Sequence, residues 1–290
     1  MKLSTSINIP VPKSKFSYNT KLVGIGSCFA QYIMEHFKNL SFDISYNPNG
    51  IVYNSYSIAE SLRHICNNEH YSDDNFIKNN NLWHSWEHHG NFSSKIKEDI
   101  IENINTTRVN FYNKLKDADI FILTPSSSVV YCLNDSNRIV SNCHKYPGNK
   151  FHTRILSVKE NCQHISQSIK YIRNINSKCL IIITLSPVRH YPGNLILNAR
   201  SKANILSAIH DNIENKENTL YFPSYEILLD ELRDYRFYND DMLHPSNLAR
   251  EIIFKKFIDI FFDNNCKNQI KEVEKKYKLS LHRKMNSNAK

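Results

Sequence analysis

Residues 21–30 read KLVGIGSCFA: an apolar run ends at the glycines Gly24 and Gly26, and a helical pattern begins after Ser27. Such a run is typical of a strand buried on both faces of a parallel sheet, and open α/β sheets bind ligands beyond the carboxyl ends of their strands. A helix that starts there offers N–H donors to an oxyanion, so Ser27 is a candidate nucleophile. The competing interpretation makes Ser27 a helix N-cap. Cys28 is a further candidate, because a thiol at a helix start has a lowered pKa, but burial of Cys28 is favoured.

The rest of the chain repeats this alternation of strand and helix. Helical patterns separate four more short apolar runs, at 41–46, 117–124, 179–188 and 219–223. This alternation predicts an α/β fold: a doubly wound, flavodoxin-like parallel sheet of about five strands, in the order 2-1-3-4-5. Two segments interrupt the alternation and predict hairpins that form walls of a pocket: 75–92 and 128–142.

A second cluster of polar residues lies near the end of the chain, where DDMLHPS at 240–246 precedes the last helical pattern. An Asp three residues before a His can hold one imidazole nitrogen while the other nitrogen faces a nucleophile. Together with Ser27, Asp241 and His244 therefore form a candidate triad for acyl-ester chemistry. Asp240, four residues before His244, is a second candidate for the carboxylate that orients the imidazole. The alternative interpretation of this segment is a solvated loop followed by a helix-capping Ser246.

The paired motifs resemble the SGNH (GDSL-like) hydrolases, whose first block holds the nucleophile and whose last block is D-x-x-H. More closely, the chain resembles the GSCFA family over residues 20–262. The resemblance is carried by GSCFA at 26–30, NPNGIVYN at 47–54, WHSWEHH at 83–89, NCHK at 142–145, SPVRH at 186–190, Asn198 with SKA at 201–203, YFPSYE at 221–226, DELRDYRFY at 230–238, and Asp241 with HP at 244–245. It implies the SGNH-type fold and a hydrolase activity.

The resemblance also implies an oxyanion hole built from a Gly N–H after the second strand and an Asn side chain after the third. Gly50 fits the first role by position, and Asn142 is the candidate for the second, with Ser127 as a further contact. The chain departs from the family pattern at Asn49 and at Ser126, where the family has Phe and Gly.

Three other polar residues are candidates for substrate binding: His84, His144 and Arg189. The histidines lie on different predicted elements and form no H-E-x-x-H motif, so no metal site is expected. An Arg after a strand can hold a carboxylate or phosphate, or pair with an acid of the segment 230–234.

Charge and composition exclude several other classes of protein. The formal net charge is +9, but residues 267–290 hold eight Lys or Arg against two Glu, which leaves +3 for the remainder. This places the charge in a solvated C-terminal tail, and no nucleic-acid partner is expected. The seven Cys are scattered without a C-x-x-C pair, which favours reduced thiols. No signal peptide or membrane span is apparent, so a cytoplasmic location is expected.

We therefore expect an N-terminal extension at 1–19, one hydrolase domain at 20–263 and a basic tail at 264–290. The expected reaction is hydrolysis of a carbohydrate or small-molecule acyl ester through a covalent acyl-Ser27, with His244 as base and Asp241 orienting it, and without a cofactor. Two alternatives stay open: transfer of the acyl group to or from a saccharide by the same triad, and a catalytically silent ligand-binding module. The sequence leaves the oligomeric state open.

Overall fold

A parallel sheet of five strands forms the centre of the computed structural model, which describes residues 5–72, 76–190, 194–214 and 216–287, with side chains as far as residue 276. In chain order the strands are β1 (Leu22–Gly26), β2 (Ile44–Tyr46), β3 (Phe76–Asn79), β4 (Leu82–Ser85), β5 (Ile120–Thr124), β6 (Val129–Leu133), β7 (Ile139–Val140), β8 (Phe151–Ile155), β9 (Leu180–Ile183) and β10 (Thr219–Tyr221). The central sheet has the order β10-β9-β5-β1-β2, with every neighbouring pair parallel. This confirms the predicted doubly wound fold and its strand order.

Helices cover both faces of this sheet. They are α1 (Cys28–Asn39), α2 (Ser55–Cys66), α3 (Lys97–Lys116), α4 (Val158–Ile175), α5 (Leu195–Ile213), α6 (Ser224–Glu226), α7 (Asn247–Phe261) and α8 (Asn264–Ser287). A π-helical turn, Ile227–Leu232, continues α6.

The apolar core is divided into two clusters because successive strand residues point to opposite faces of a sheet. Leu22, Ile120 and Ile182 pack with α1 and α7, whereas their neighbours, such as Phe121 and Ile181, pack with α2 to α5. Strands buried on both faces in this way read as continuous apolar runs, which is why the sequence predicts them well.

The two predicted hairpins are present, and one of them has an extra strand. In the first, β3 pairs with β4 through Asn80 and Asn81, both of which have positive φ as a tight turn requires; the first residue of its predicted span, 75, lies outside the described residues. In the second, β6 pairs with β7 and also, along its whole length, with β8. The sequence did not predict β8, because its three central residues, HTR at 152–154, are exposed and polar.

Both ends of the chain contact the core. Phe16 N–H donates to the Phe261 carbonyl, and the Asp263 N–H donates to the Phe16 carbonyl. In α8, Cys266 and Ile270 are buried against the cluster that contains α1 and α7. Within the described part of the chain, none of the helices combines the length and the apolar character needed to cross a membrane.

Candidate active site

His244 and Asp241 form a hydrogen-bonded pair in the turn before α7. His244 Nδ1 donates to Asp241 Oδ2 over 2.7 Å, and Asp241 Oδ1 also accepts the N–H groups of Leu243 and His244. These backbone N–H groups, followed by the imidazole, hold the pKa of Asp241 at about 2. Both side chains are 44% exposed. The imidazole of His244 is therefore accessible, and its Nδ1 is held by the ionised carboxylate of Asp241.

Arg189 holds the turn that carries His244. Its N–H donates to the Leu243 carbonyl over 3.0 Å, and its guanidinium donates to the Met242 carbonyl. The guanidinium also lies 4.0 Å from the centre of the Tyr238 ring. The contacts of Arg189 thus join the loop after β9 to the His244 turn and position the imidazole over the sheet edge.

The junction of β1 and α1 is held by backbone contacts that need Gly26. Gly26 has a φ of +150°, and a Cβ atom there would lie 2.2 Å from the Thr124 carbonyl oxygen of β5. The Gly26 N–H donates to Asn47 Oδ1 over 2.8 Å, and the Ser27 N–H donates to the Thr124 carbonyl over 3.1 Å. The path of the chain into α1 is therefore determined by β5 and by the loop after β2.

The side chains of Ser27 and Cys28 are placed differently at this junction. Ser27 is fully buried, and its hydroxyl has no hydrogen-bond partner among the described residues and does not cap α1. Cys28 is half-buried, and its Sγ atom lies 3.7 Å from His244 Nε2. The structure thus brings His244 to this junction, where the imidazole contacts the Cys28 thiol and not the predicted Ser27 hydroxyl.

Opposing effects act on the Cys28 thiol. Burial raises its pKa, and this effect outweighs the Phe29 N–H and the nearby Lys202 charge, which lower it. The lowered pKa expected from the helix start is therefore not found. The thiol is neutral at rest, and its proton must be removed during any attack on a substrate.

The backbone N–H groups near the predicted oxyanion hole are already used. The Gly50 N–H donates to the Asn47 carbonyl, and the N–H groups of Ser126 and Ser127 both donate to the Tyr53 carbonyl. The Ser127 hydroxyl contacts Ser201 of α5 at 3.2 Å. These groups shape the wall beside the junction, and free N–H donors must come from elsewhere, such as the uncapped first turn of α1.

Asn142 lies in the hairpin wall with His84 and His144. Asn142 Oδ1 accepts the His144 N–H over 2.8 Å, so its NH₂ group has no partner in the described part of the chain. The His84 and His144 rings stack at 4.5 Å, and His144 Nε2 contacts the Ser85 carbonyl at 2.7 Å. Burial lowers the pKa of His144 to about 4, so this ring is neutral and joins the two hairpins.

A buried lysine completes the wall, and sequence reasoning missed its role. Lys202 of α5 is 2% exposed, and its Nζ donates to the Ser186 carbonyl over 2.6 Å and to the Ser126 hydroxyl over 3.4 Å. His190 Nε2 contacts the same hydroxyl at 2.6 Å. Burial lowers the pKa of Lys202 to about 7. The sequence does contain one indication that Lys202 is buried. Lys202 lies three residues before Ile205, on the apolar face of α5.

The described side chains offer no group of three His, Cys, Asp or Glu that could hold a metal ion.

These features belong to a chain of the GSCFA family, whose family model matches residues 21–257. This confirms the resemblance found in the sequence. Among solved structures, the chain is similar to the lipase Lip_vut3 from a goat rumen metagenome, with 13% identity over 85% of this chain and 99% of that chain and a TM-score of 0.41. It is also similar to a carbohydrate esterase family 3 from Talaromyces cellulolyticus, with 9% identity over 88% of this chain and 99% of that chain and a TM-score of 0.40. A putative platelet activating factor from Streptococcus pneumonia shows 13% identity over 86% of both chains and a TM-score of 0.45. Comparison with curated protein sequences gave no match.

Proposed function

We propose that this chain is an acyl-ester hydrolase that works through a covalent acyl-enzyme intermediate. The observation that carries this proposal is the 2.7 Å hydrogen bond between His244 Nδ1 and Asp241, together with the contact of His244 Nε2 at the β1–α1 junction. A carboxylate on Nδ1 fixes the tautomer in which Nε2 accepts a proton, and it stabilises the imidazolium that results. The pair is suited to act first as base and then as acid.

The nucleophile is a side chain of the β1–α1 junction. The sequence favours the Ser27 hydroxyl, and the adjacent Cys28 thiol is the group in contact with the imidazole. Either group would take an acyl group from the substrate while His244 removes its proton and passes it to the leaving alcohol. Water, activated by the same imidazole, would then release the acid.

Two sources of hydrogen bonds are proposed for the oxyanion. The first turn of α1 is not capped by the Ser27 side chain, so its N–H groups are proposed as donors to the tetrahedral oxygen. The Asn142 NH₂ group is proposed as the side-chain donor, because its amide oxygen is already engaged by the His144 N–H. Neutral donors of this kind stabilise developing negative charge without taking the proton that His244 carries.

The surface beside Asp241 favours a polar alcohol in the substrate. A cavity of about 540 Å³ lies beside Asp241, and its lining includes Arg236, Asn239, Asp241 and Ser246. Such groups bind hydroxyls well, which suits a saccharide acyl ester. This lining also supports a second candidate function, in which a saccharide hydroxyl replaces water as the acceptor and the enzyme acts as an O-acyltransferase.

The experiment that tests the proposal measures turnover of a chromogenic acetyl ester and of a panel of acetylated sugars. His244→Ala should lower kcat by roughly 1,000-fold or more, since both proton transfers depend on the imidazole. His152→Ala is the matched control, because His152 is exposed on β8 and contacts Asn134. Equal activity of His244→Ala and wild type would contradict the proposal, as would the absence of any turnover in the wild-type protein.

A further inference from the structure

We propose that Cys28 is the group that carries the acyl chain, so that the intermediate is a thioester. This inference rests on the proposed function and deepens it, because it identifies the nucleophile and with it the class of acyl donor that the site favours.

The position of the His244 imidazole favours Cys28 as the nucleophile. His244 has two ring nitrogens, and Nδ1 is held by Asp241 at 2.7 Å, which leaves Nε2 as the base. Nε2 lies 3.7 Å from Cys28 Sγ, within reach of a hydrogen bond to sulfur. The base and the thiol are therefore already in position for proton transfer.

The burial of the two side chains also favours Cys28 over Ser27. Ser27 is 0% exposed, and its hydroxyl has no hydrogen-bond partner among the described residues. It therefore contacts neither the His244 imidazole nor the N–H groups at the start of α1. Its backbone is extended, with ψ at 179°, whereas Cys28 is the first residue of the helix. This change of backbone conformation sends the two side chains in different directions, and Cys28 is half-buried whereas Ser27 is fully buried. Cys28 is therefore the more accessible of the two to an ester carbonyl.

The surroundings of the thiol suit an attack coupled to proton transfer. Burial keeps the thiol protonated at rest, while the Phe29 N–H and Lys202 favour the negative charge that forms on sulfur during the reaction. Lys202 forms no ion pair with a carboxylate of the described residues, so this lysine, where it is protonated, can stabilise the developing anion. A helix N-terminus adds a further favourable field.

The proposed reaction passes through two tetrahedral intermediates, one as the thioester forms and one as water cleaves it. Cys28 Sγ forms a bond to the acyl carbon as its proton passes to His244 Nε2, which gives a tetrahedral oxyanion and an imidazolium paired with Asp241. The oxyanion collapses, the bond from the acyl carbon to the leaving oxygen or sulfur breaks, and the leaving group takes the proton from His244. Water then gives a proton to His244 and its oxygen to the acyl carbon, and the released Cys28 sulfur recovers that proton.

A thiol nucleophile determines which donors react well. A thiol, with an ordinary pKa of ~8.5, leaves a tetrahedral intermediate more readily than an alcohol does, so an alkyl ester tends to return to the starting state. Acyl thioesters do not suffer this disadvantage, because their own leaving group is also a thiol. We therefore expect the site to prefer acyl thioesters to alkyl esters of the same acid.

The test is covalent trapping with p-nitrophenyl acetate, acid quenching and peptide mass spectrometry. Trypsin cuts after Lys21 and Lys38, and the peptide between them contains one Ser and one Cys, Ser27 and Cys28, so fragmentation assigns the acetyl group to one of them. The expected adduct is on Cys28, is removed by neutral hydroxylamine as a thioester is, persists in Ser27→Ala and disappears in Cys28→Ala. Cys28→Ser gives a second variant of nearly unchanged size, in which the hydroxylamine-sensitive adduct should also be lost.

The control is Cys66→Ala, which removes another half-buried thiol and should leave acetylation and turnover unchanged. An acetyl group on Ser27 in the wild-type protein would overturn the inference and leave the proposed function intact. Faster hydrolysis of ethyl acetate than of an acetyl thioester by the wild type would overturn the donor preference. Absence of both adduct and turnover would overturn the proposed function and this inference with it.

Discussion

Asp241 Oδ2 accepts a hydrogen bond from His244 Nδ1 over 2.7 Å, while its Oδ1 accepts the N–H groups of Leu243 and His244. One carboxylate therefore fixes both the turn and the tautomer of the imidazole. Asp241→Asn keeps the size of the side chain but removes the charge that stabilises the imidazolium. We expect kcat on a chromogenic ester to fall by about 100-fold or more, with little change in KM.

Asp240→Asn is the matched control for this prediction, since it removes a neighbouring carboxylate that forms no ion pair with His244 among the described contacts. Its kcat should stay within about threefold of wild type. The opposite order of the two variants would show that Asp240 is the orienting residue in solution.

Asn142 provides a separate test of the oxyanion wall. Removing one donor from an oxyanion hole typically lowers kcat by about 100- to 1,000-fold. Asn142→Ala should show a loss of this order with an unchanged KM, because the donor acts on the transition state more than on the bound substrate. Asn134→Ala, which changes an exposed amide in the turn between β6 and β7, serves as the control. A normal kcat with a lowered thermal midpoint would mean that Asn142 only holds the hairpin turn at His144.

The buried ammonium of Lys202 predicts how stability depends on pH. Burial lowers the pKa of Lys202 to about 7, from an ordinary value of 10.5 in the unfolded chain. Between these two values the unfolded chain binds a proton that the folded protein does not, so the free energy of unfolding rises with pH. We expect a rise of roughly 2 kcal/mol between pH 7 and pH 9.

Urea unfolding at several pH values measures this effect. Lys202→Met should remove the rise, whereas Lys170→Met, which changes an exposed lysine on α4, should retain it. Parallel pH dependences for wild type and Lys202→Met would contradict the lowered pKa. The test is independent of activity, so its outcome does not depend on the choice of substrate.

The sequence predicted the sheet well, for a physical reason. A strand such as Ile120–Thr124 is buried on both faces and therefore reads as an unbroken apolar run. The helix Ser55–Cys66 also follows from its sequence, since Asn54 caps its start and its apolar face repeats at helical spacing. Because parallel strands bring their carboxyl ends to one edge, distant motifs at 26–30 and 240–246 could be assigned to one site.

Other features depend on backbone angles and tertiary packing, which a single sequence does not reveal. Whether Ser27 or Cys28 faces the imidazole depends on the extended ψ at the N-cap and on the path of β1 beside β5. The burial of Lys202 follows from the packing of α5 on the wall around Ser126. The strand Phe151–Ile155 is stabilised by pairing with β6 more than by its own polar residues, so its sequence resembles a loop.

The backbone at the β1–α1 junction contributes to the stability of the fold. Gly26 has a φ of +150°, and a Cβ atom at this position would lie 2.2 Å from the Thr124 carbonyl oxygen and 2.8 Å from its carbon. Neither atom can move without breaking the pairing of β1 with β5, because Thr124 is the partner of Gly26 in that register. Gly26→Ala should therefore lower the free energy of unfolding by about 3 kcal/mol or more, from strained backbone and overpacking together.

Gly148→Ala is the control, because a Cβ atom there meets nothing within 4 Å, and it should change stability by less than about 0.5 kcal/mol. Denaturant midpoints of the two variants measure the difference, and the slope of each transition shows whether unfolding stays two-state. If Gly26→Ala proves too unstable to purify, the soluble yields of Gly26→Ala and Gly148→Ala can be compared instead, and that of Gly26→Ala should be the lower. Equal midpoints for Gly26→Ala and wild type would mean that the end of β1 can shift away from Thr124, and that the contact between Cys28 and His244 is not held by this register.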